Sequence, residues 1–261
     1  MSDLLALSHK IEDFARVRVL CLGDVMLDRF VYGESERLSP EAPIPVLKVQ
    51  REQLMPGGAG NLVRNVATLG ATGTLVALVG EDEAANTLRL KVAEQNGFEA
   101  RLVPCADRMT TVKTRYVVSG QQLLRTDVEN TAPAEGATAR RVLAAYEAEL
   151  ERADVVILSD YAKGLLSDTV LRRAIALAGK RGVPVVADPK SRDFSRYRGV
   201  TLLLPNAAEL TAATDMPCTD DEQACAAADA ARRDCGLENI LVTRSGQGMS
   251  LVSADGDVLH L

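Results

Sequence analysis

A glycine-rich segment with a polar side chain stands just before a predicted helix. Residues 55–71 read MPGGAGNLVRNVATLGA. The pair Gly57 and Gly58 can adopt backbone angles with φ above zero, and it lets a ligand approach the main chain where a Cβ would block it. The N–H groups of the following helical turn face such a ligand, and Asn61 adds a side-chain donor and acceptor. This spacing predicts a cradle for a polyol or a phosphate, although a plain glycine-rich turn has the same pattern.

Four predicted strands in the second half of the chain each end in polar residues. The clusters are SDY at 159–161, DPK at 188–190, PN at 205–206 and TRSG at 243–246. The strands alternate with amphipathic helices, which is typical of a parallel sheet covered by helices. Because the carboxyl ends of parallel strands meet at one rim, we expect these clusters to line one ligand crevice.

Two carboxylates follow the first predicted strand, residues 17–22. Asp24 and Asp28 lie in the segment GDVMLDRF. Acidic side chains at this end of a parallel strand are candidates for ligand binding, and the alternatives are surface solvation or, for Asp24, a cap. The strand is not followed by GxGxxG, which disfavours a dehydrogenase. The sequence also contains no GxxxxGK[ST] motif, so a P-loop enzyme is not predicted.

Two of the polar clusters suit phosphate groups. Asn206 and Glu209 lie one helical turn apart and could orient a hydrated Mg²⁺, but the same pair could be a capping box. The segment 243–248 offers hydroxyls, the guanidinium of Arg244 and exposed N–H groups to an anion.

Two β-rich insertions interrupt the alternation of strands and helices. They cover about residues 30–51, where three prolines exclude a helix, and about residues 101–127, where a hairpin turns at Ser119-Gly120. We predict that they form one small sheet beside the main domain, a lid. Alternation places the cations Lys113 and Arg115 on one face of it, with a solvated face as the alternative interpretation.

Composition excludes several classes of protein. The 261 residues carry a net charge of −6 and no Trp, which disfavours a general nucleic-acid binder. No apolar run reaches membrane length, and five cysteines without a pairing pattern suggest reduced thiols and a cytoplasmic protein. The two histidines, His9 and His260, lie near the chain ends, so acid–base chemistry falls to Asp, Glu, Lys or Tyr. An apolar stripe at residues 4, 7, 11 and 14 predicts an N-terminal helix.

Six segments in order resemble the ribokinase-like (PfkB) carbohydrate kinases. They are GDVMLDRFVYGESERLSPEAPIPV, PGGAGN, LSDYAKG, DPK, LLPNAAE and VTRSGQGMSL. The resemblance runs over nearly the whole chain and implies one domain, residues 1–261, with a three-layer α/β sandwich and a β lid. Lids of this kind often form a dimer interface, so a homodimer is expected.

The resemblance also implies roles for individual residues, with ATP and Mg²⁺ as cofactors. Substrate binding would fall to Asp28, Gly57, Gly58, Asn61, Arg115, Arg125, Asp160 and Lys163. Nucleotide binding would fall to Lys190, Asn206, Ala207, Ala208, Glu209, Thr243, Arg244, Ser245 and Gly246, with Glu209 holding the metal through water.

Within the family, three of the segments are most similar to heptose 7-phosphate kinases of lipopolysaccharide biosynthesis. The implied reaction transfers the γ-phosphoryl group of ATP to the anomeric hydroxyl of D-glycero-D-manno-heptose 7-phosphate. Another sugar kinase, or a binding protein without turnover, remains an alternative.

The resemblance places the catalytic base outside these residues. Such kinases carry a GAGD motif whose Asp is the base, and residues 1–261 contain no GAGD. The Asp is therefore expected beyond Leu261, and no catalytic residue is assigned within the chain. We expect residues 1–261 alone to bind ligands weakly, if at all, to turn over no ATP and to expose core surface, and we expect a longer chain with the GAGD segment to be active.

Overall fold

Thirteen strands build two separate sheets in the computed structural model, which describes residues 12–261. In chain order they are β1 (Arg18–Gly23), β2 (Val25–Glu34), β3 (Lys48–Gly58), β4 (Thr72–Gly80), β5 (Phe98–Cys105), β6 (Val112–Val118), β7 (Gln121–Val128), β8 (Val155–Ser159), β9 (Val185–Asp188), β10 (Leu202–Leu203), β11 (Asn239–Thr243), β12 (Met249–Val252) and β13 (Val258–His260). The main sheet has the order β13-β12-β11-β10-β9-β8-β1-β4-β5. All of its strands from β11 to β5 pair in parallel, and β12 and β13 add an antiparallel edge.

Helices cover the main sheet on both faces. They are α1 (Ala59–Thr68), α2 (Glu83–Ala93), α3 (Gly136–Leu150), α4 (Asp168–Lys180), α5 (Ala207–Thr214) and α6 (Asp221–Cys235). The last four pack on one face, where Tyr146, Leu171 and Leu203 belong to the larger core. The first two pack on the other face over β1, β4 and β5, where Val63 and Leu88 belong to a second core. The predicted α/β sandwich is confirmed, and the helix predicted from residues 4, 7, 11 and 14 lies mostly outside the described residues.

One half of the sheet face that carries α1 and α2 has no helix over it among residues 12–261. Ile157, Val186 and Leu241 point to this side of β8, β9 and β11, and each is partly exposed. Their neighbours in sequence, such as Val156 and Leu158, are fully buried on the opposite face. The apolar wall of the cavity described below is formed in part by this half of the sheet.

The lid is a four-stranded sheet with the order β3-β2-β6-β7. It begins at Val25 rather than near residue 30, because β2 follows β1 after a single residue. The prediction that the second insertion begins near residue 101 was wrong. Residues 98–105 pair in parallel with β4 as an edge strand of the main sheet, where Arg101 contacts Glu149 at 2.7 Å. β5 joins the main sheet because it pairs with β4, whose residues are mostly buried and apolar, although the sequence pattern of β5 resembles that of a lid strand.

The segment before α1 is also more regular than the sequence suggests. Pro56, Gly57 and Gly58 are the last three residues of β3, and they pair with β2. A proline is tolerated there because β3 is an edge strand of the lid and needs no donor on its outer side.

The carboxylate of Asp24 joins the two sheets at the point where they meet. Asp24 is the single residue between β1 and β2, and it is 4% exposed. Its side chain accepts backbone hydrogen bonds from Tyr161 (3.0 Å), Lys163 (2.9 Å) and Leu165 (3.1 Å), all in the loop after β8. Its carbonyl oxygen accepts from the first helical N–H of α1, that of Ala59. Burial raises the pKa of Asp24, and the three N–H donors oppose that effect.

Asp24→Asn should destabilise the protein by about 1–3 kcal/mol. An amide keeps one acceptor oxygen and places an N–H₂ group against at least one of the three donors, which leaves a buried N–H unsatisfied. Urea denaturation measures the loss, and the amides of Tyr161, Lys163 and Leu165 should exchange hydrogen faster. Asp257→Asn, at an exposed turn, is the control. Equal stability and unchanged exchange in the Asp24 variant would contradict this account.

Candidate functional site

The first part of the candidate site is the junction of β3 and α1, the place at which the glycine pattern predicts a ligand pocket. A Cβ on Gly57 would overlap the carboxylate of Asp28 on β2, and a Cβ on Gly58 would lie 2.6 Å from the carbonyl oxygen of Asp24. Gly58 has φ of 57°, the left-handed region that glycine favours. Two glycines are therefore required here for backbone to lie directly against a side chain that could bind a ligand.

Several basic residues lie on the inner face of the lid. We define the inner face as the side of the lid sheet on which the side chain of Asp28 lies. The strand register places Phe30, Tyr32, Arg51, Lys113, Arg115, Val117, Arg125 and Asp127 on this face. From the level of Asp28 to the level of Tyr32 along β2, this face carries four basic and two acidic side chains: Arg51, Lys113, Arg115 and Arg125, and Asp28 and Asp127. The predicted alternation is confirmed, and a fully solvated face is wrong for Arg115 and Lys113, which are 21% and 12% exposed.

Ion pairs hold several of these cations in place. Arg115 Nη1 contacts Asp28 Oδ1 at 2.5 Å, and Arg115 also lies over the ring of Phe30. Arg125 Nε contacts Asp127 Oδ1 at 2.9 Å and remains half exposed. Arg115 is therefore positioned next to the carboxylate of Asp28, whereas Arg125 stands at the edge of the lid.

Lys163 is connected to the lid through an acidic residue that the sequence did not mark. Glu129, just after β7, contacts Lys163 Nζ at 2.7 Å and Lys113 Nζ at 3.6 Å. These charges lower the pKa of Glu129, the contact with Lys163 most of all. The network links the loop after β8 with the inner face of the lid, so Lys163 lies beside the predicted substrate pocket.

Asp160 does not have the arrangement expected of a substrate ligand. It is 6% exposed, and its two carboxylate oxygens accept from the backbone N–H of Ala162 at 2.8 Å and the hydroxyl of Tyr197 at 2.7 Å. Its position near the cavity agrees with the sequence, but its oxygens are used to hold the loop after β8. Asp160 therefore has a structural role, and its predicted contact with the substrate stays a prediction.

The second part of the site is a cavity of about 500 Å³ at the carboxyl ends of β8, β9, β10 and β11. It is lined by Leu62, Ile157, Asp160, Tyr161, Val186, Asp188, Pro189, Lys190, Leu204, Asn206, Glu209 and Thr243. All four polar clusters that end these strands have a residue here, so the predicted rim is confirmed.

Asn206 and Glu209 form the capping box that the sequence left as an alternative. Asn206 Oδ1 accepts from the backbone N–H of Glu209 at 2.9 Å, and Glu209 Oε2 accepts from that of Asn206 at 3.0 Å. Glu209 Oε1 also accepts from Lys190 Nζ at 3.1 Å. Ala207 and Ala208 form the first turn of α5 behind this box. The box fixes Glu209 at the cavity wall rather than removing it from the site.

A second carboxylate, Asp188, lines the same cavity. Burial, with the neighbouring Glu209 charge as the next cause, raises the pKa of Asp188 to about 6. Two acidic groups share a partly buried region, and the single ammonium of Lys190, which donates to Glu209, offsets only part of their charge. This part of the cavity therefore favours a bound cation.

The predicted anion-binding segment after β11 is divided between the cavity and the interior. Thr243 lines the cavity, and Ser245 and Gly246 lie in the short 3₁₀ turn Ser245–Gln247 at the surface. Arg244 is 5% exposed and pairs with Asp221 in α6. Its guanidinium belongs to the packing between β11 and α6, so the prediction that this side chain serves a nucleotide is corrected.

Leu261 follows the strand β13. The catalytic Asp is expected beyond this residue. Leu261 and Met249 exchange two backbone hydrogen bonds, of 2.8 and 2.9 Å, and Leu261 is 68% exposed. It does not line the cavity at the strand ends. Leu261 is therefore an exposed edge residue of the main sheet with no catalytic group of its own, and the position of the catalytic Asp stays a prediction.

Sequence reasoning missed two site residues, Glu129 and Arg64. Glu129 was not identified, because its contacts with Lys163 and Lys113 come from the fold. Asp188 was identified as part of a polar cluster, but without the raised pKa that burial and neighbouring charge produce. Arg64, one helical turn after Asn61 in α1, donates to Asn61 Oδ1 at 2.6 Å. Its i,i+3 spacing from Asn61 was visible in the sequence and could have indicated this contact.

A family comparison agrees with this geometry. The profile described as pfkB family carbohydrate kinase matches residues 17–261. The chain belongs to the PfkB family of carbohydrate kinases. The polar residues described above lie within the part of the chain that this family profile covers.

Curated relatives are similar over the full chain but are longer. Bifunctional protein HldE of Rhodospirillum rubrum is 46% identical over 262 residues, which is 100% of this chain and 53% of that protein. Bifunctional protein HldE of Caulobacter vibrioides is 49% identical over 259 residues, 98% of this chain and 53% of that protein. The chain thus spans about half the length of the curated relatives it matches.

Solved structures show the ribokinase-like fold. Phosphofructokinase-2 from Escherichia coli, in a tetrameric inhibited form, superposes with a TM-score of 0.75 at 22% identity, over 94% of this chain and 79% of that chain. Arabidopsis thaliana ribokinase, complexed with ribose and ATP, superposes with a TM-score of 0.70 at 19% identity, over 94% and 77%. Within the part of the chain that the structure describes, no helix has the length and apolar character to cross a membrane.

The raised pKa of Asp188 predicts a pH effect on the ligand-free protein. From the ordinary value of 3.8 to about 6, the folded state binds the proton more tightly than the unfolded state, so stability falls as pH rises through this window. Asp188→Asn, which does not titrate, should gain about 1–2 kcal/mol relative to the unsubstituted protein across the window, about half the full shift because the side chain is partly exposed.

Urea denaturation at several pH values measures this difference. It should grow with pH and level off above about pH 6, and Asp255→Asn at an exposed turn should give no such trend. A difference that stays constant with pH would show that the Asp188 carboxyl titrates normally.

Proposed function

We propose that this kinase phosphorylates a sugar that already carries a phosphate, and that this substrate is D-glycero-D-manno-heptose 7-phosphate, phosphorylated at its anomeric hydroxyl. The inner face of the lid is the observation that carries the proposal. Its basic residues exceed its acidic ones by two, which balances a phosphate dianion and is unnecessary for a neutral sugar. The choice of heptose is supported by 46–49% identity to proteins named HldE and by the resemblance of three sequence segments to heptose 7-phosphate kinases.

The pocket of Asp28, Gly57, Gly58 and Asn61 would hold the sugar hydroxyls. Asp28 accepts hydrogen bonds and Asn61 can donate them, which suits hydroxyl groups. The phosphate of the substrate would meet Arg115, which pairs with Asp28, together with Arg125 and Lys163, which pair with Asp127 and Glu129 on the same side of the lid.

The cavity beneath α5 would hold ATP. Lys190, Asn206 and Thr243 line it, and the turn Ser245–Gln247 lies at the same strand ends. Asp188 and Glu209 fit a hydrated Mg²⁺, because both carboxylates line this cavity and the charge of Glu209, after burial, raises the pKa of Asp188. No group of three acidic, His or Cys side chains suited to a metal occurs among residues 12–261, so water and phosphate oxygens would supply the other ligands. The metal would neutralise charge on the transferred phosphoryl group.

We assign no catalytic base. Asp28 pairs with Arg115, and the oxygens of Asp160 are occupied by Ala162 and Tyr197. Binding of the sugar phosphate and transfer of the phosphoryl group are therefore tested by separate measurements.

Calorimetry with a panel of sugars tests the substrate. Heptose 7-phosphate should bind more tightly than the unphosphorylated heptose and than fructose 6-phosphate. Arg115→Met should weaken heptose 7-phosphate binding by about 10- to 100-fold, the effect of a lost hydrogen bond between charged groups, while ATP binding is unchanged.

Arg29→Met is the matched control for this variant. Arg29 lies on the opposite face of the same strand β2 and pairs with Glu52 at 2.8 Å, so the substitution also removes one lid ion pair. Equal binding of the phosphorylated and unphosphorylated heptose by the unsubstituted protein would refute the proposed substrate class. Release of ADP in the presence of heptose 7-phosphate measures turnover independently.

We also propose a homodimer through the lid. Every residue of the edge strand β7 is exposed, including Leu123, Leu124 and Val128 at 49–55%. Exposed edge strands with apolar side chains are usually covered by a partner. Light scattering at micromolar concentration should give a dimer, and Leu124→Asp should give a monomer. Leu90→Asp, at an equally exposed leucine on α2, should remain dimeric. A monomeric unsubstituted protein would contradict the proposal.

A further inference from the structure

Arg64 is a basic residue at the sugar pocket that is not part of an ion pair within residues 12–261. It lies on α1 and its side chain is partly buried. Its Nη2 donates to Asn61 Oδ1 at 2.6 Å, and its Nη1 contacts Met55 Sδ at 3.7 Å. Most other partly buried cations near the pocket, such as Arg115 and Lys163, contact a carboxylate. The guanidinium of Arg64 instead contacts the amide of a predicted ligand-binding residue.

This contact determines which atom Asn61 presents to a ligand. A guanidinium has donors and no acceptor, so the amide atom that faces it must be the oxygen. The amide nitrogen of Asn61 is then turned the other way, and within the described residues it has no hydrogen-bond partner. The hydrogen bond from Arg64 thus fixes the Asn61 amide with its nitrogen available as a donor, whereas an amide without this contact could rotate and present either atom.

The orientation of the Asn61 amide matters because Asp28 is the second residue predicted to contact the sugar hydroxyls. Asp28 lies against Gly57 at the end of β3, and α1 with Asn61 begins one residue after Gly58. An ionised carboxylate can only accept, so a sugar hydroxyl that contacts it must donate its single hydrogen there. The same hydroxyl can then only accept from Asn61. The pair recognises a hydroxyl fully when Asn61 offers its nitrogen.

We propose that Arg64 is a positioning residue for the sugar, which fixes the amide of Asn61 with its nitrogen toward the substrate hydroxyl. The proposal rests on the proposed function in one respect, that Asn61 contacts the sugar. Arg64 touches no substrate atom in this account, and its effect passes through Asn61.

An equivalent pair elsewhere in the chain provides a matched control. Arg89 on α2 donates to Asn86 Oδ1 at 2.8 Å with the same i,i+3 spacing, but this pair is exposed and away from the cavity. Arg89→Met therefore removes the same kind of helix-surface hydrogen bond without changing the pocket.

A double-mutant cycle tests whether Arg64 acts through Asn61. Calorimetry measures the binding of heptose 7-phosphate, fructose 6-phosphate and ATP to the unsubstituted protein, to Arg64→Met, to Asn61→Ala and to the double variant. Arg64→Met should weaken sugar-phosphate binding by about tenfold, the effect of one hydrogen bond at the ligand, and leave ATP binding unchanged. In the Asn61→Ala background the same substitution should change sugar binding by less than about twofold. Arg64→Lys, which keeps a donor, should recover part of the loss, and Arg89→Met should bind normally.

Several outcomes would overturn the proposal. A loss from Arg64→Met that persists in full in the Asn61→Ala background would show a general structural role for Arg64. Unchanged sugar binding in Arg64→Met, with tight binding by the unsubstituted protein, would remove the role altogether. If fructose 6-phosphate binds and heptose 7-phosphate does not, the proposed substrate fails, and the cycle with fructose 6-phosphate still decides the role of Arg64. If neither sugar phosphate binds, both proposals fail.

Discussion

The buried carboxylate of Asp24 is the interaction on which the site depends. It stands between the last residue of β1 and the first residue of β2, so it marks the point where the chain leaves the main sheet for the lid. Its oxygens hold the loop that carries Tyr161 and Lys163, and its carbonyl group accepts from the start of α1. A buried charge is expensive unless its hydrogen bonds are complete, and here three N–H groups complete them. The rim of the sheet, the lid and the helix that follows the glycines are thereby fixed relative to one another.

The two parts of the site have opposite electrostatic character. The inner face of the lid has an excess of basic side chains, whereas the cavity beneath α5 brings Asp188 and Glu209 together. A phosphorylated sugar suits the first part and a nucleotide bound with a cation suits the second. Under the proposed function, this separation would give each of two phosphate-bearing ligands its own compensating charge and would limit their mutual repulsion.

The sequence predicted the architecture well where periodicity was strong. The strands that end in SDY, DPK, PN and TRSG all reach one rim, because parallel strands joined by helices leave little choice of direction. It failed at β5, whose residues look like lid strand but pair with β4, since pairing partners depend on the fold rather than on local propensity. It also misjudged Arg244, where the residue type indicated ligand contact but the side chain is buried and pairs with Asp221. The pKa of Asp188 and the contact of Arg64 arise from three-dimensional neighbours, so composition and spacing alone did not indicate them.

Structural and functional interpretations of the same side chain need not exclude each other in this site. Glu209 uses Oε2 to cap α5 and has Oε1 at Lys190, and Asn61 uses its oxygen at Arg64 and keeps its nitrogen for another partner. In both cases one polar atom of the side chain makes the hydrogen bond that holds it in place, and the second polar atom remains for a separate contact. A group held in this way loses little conformational freedom when a ligand arrives, and its dipole already points toward the ligand. The capping box at Asn206 and Glu209 is therefore better understood as the means by which a carboxylate is kept at the wall of the cavity than as evidence against a role for it there.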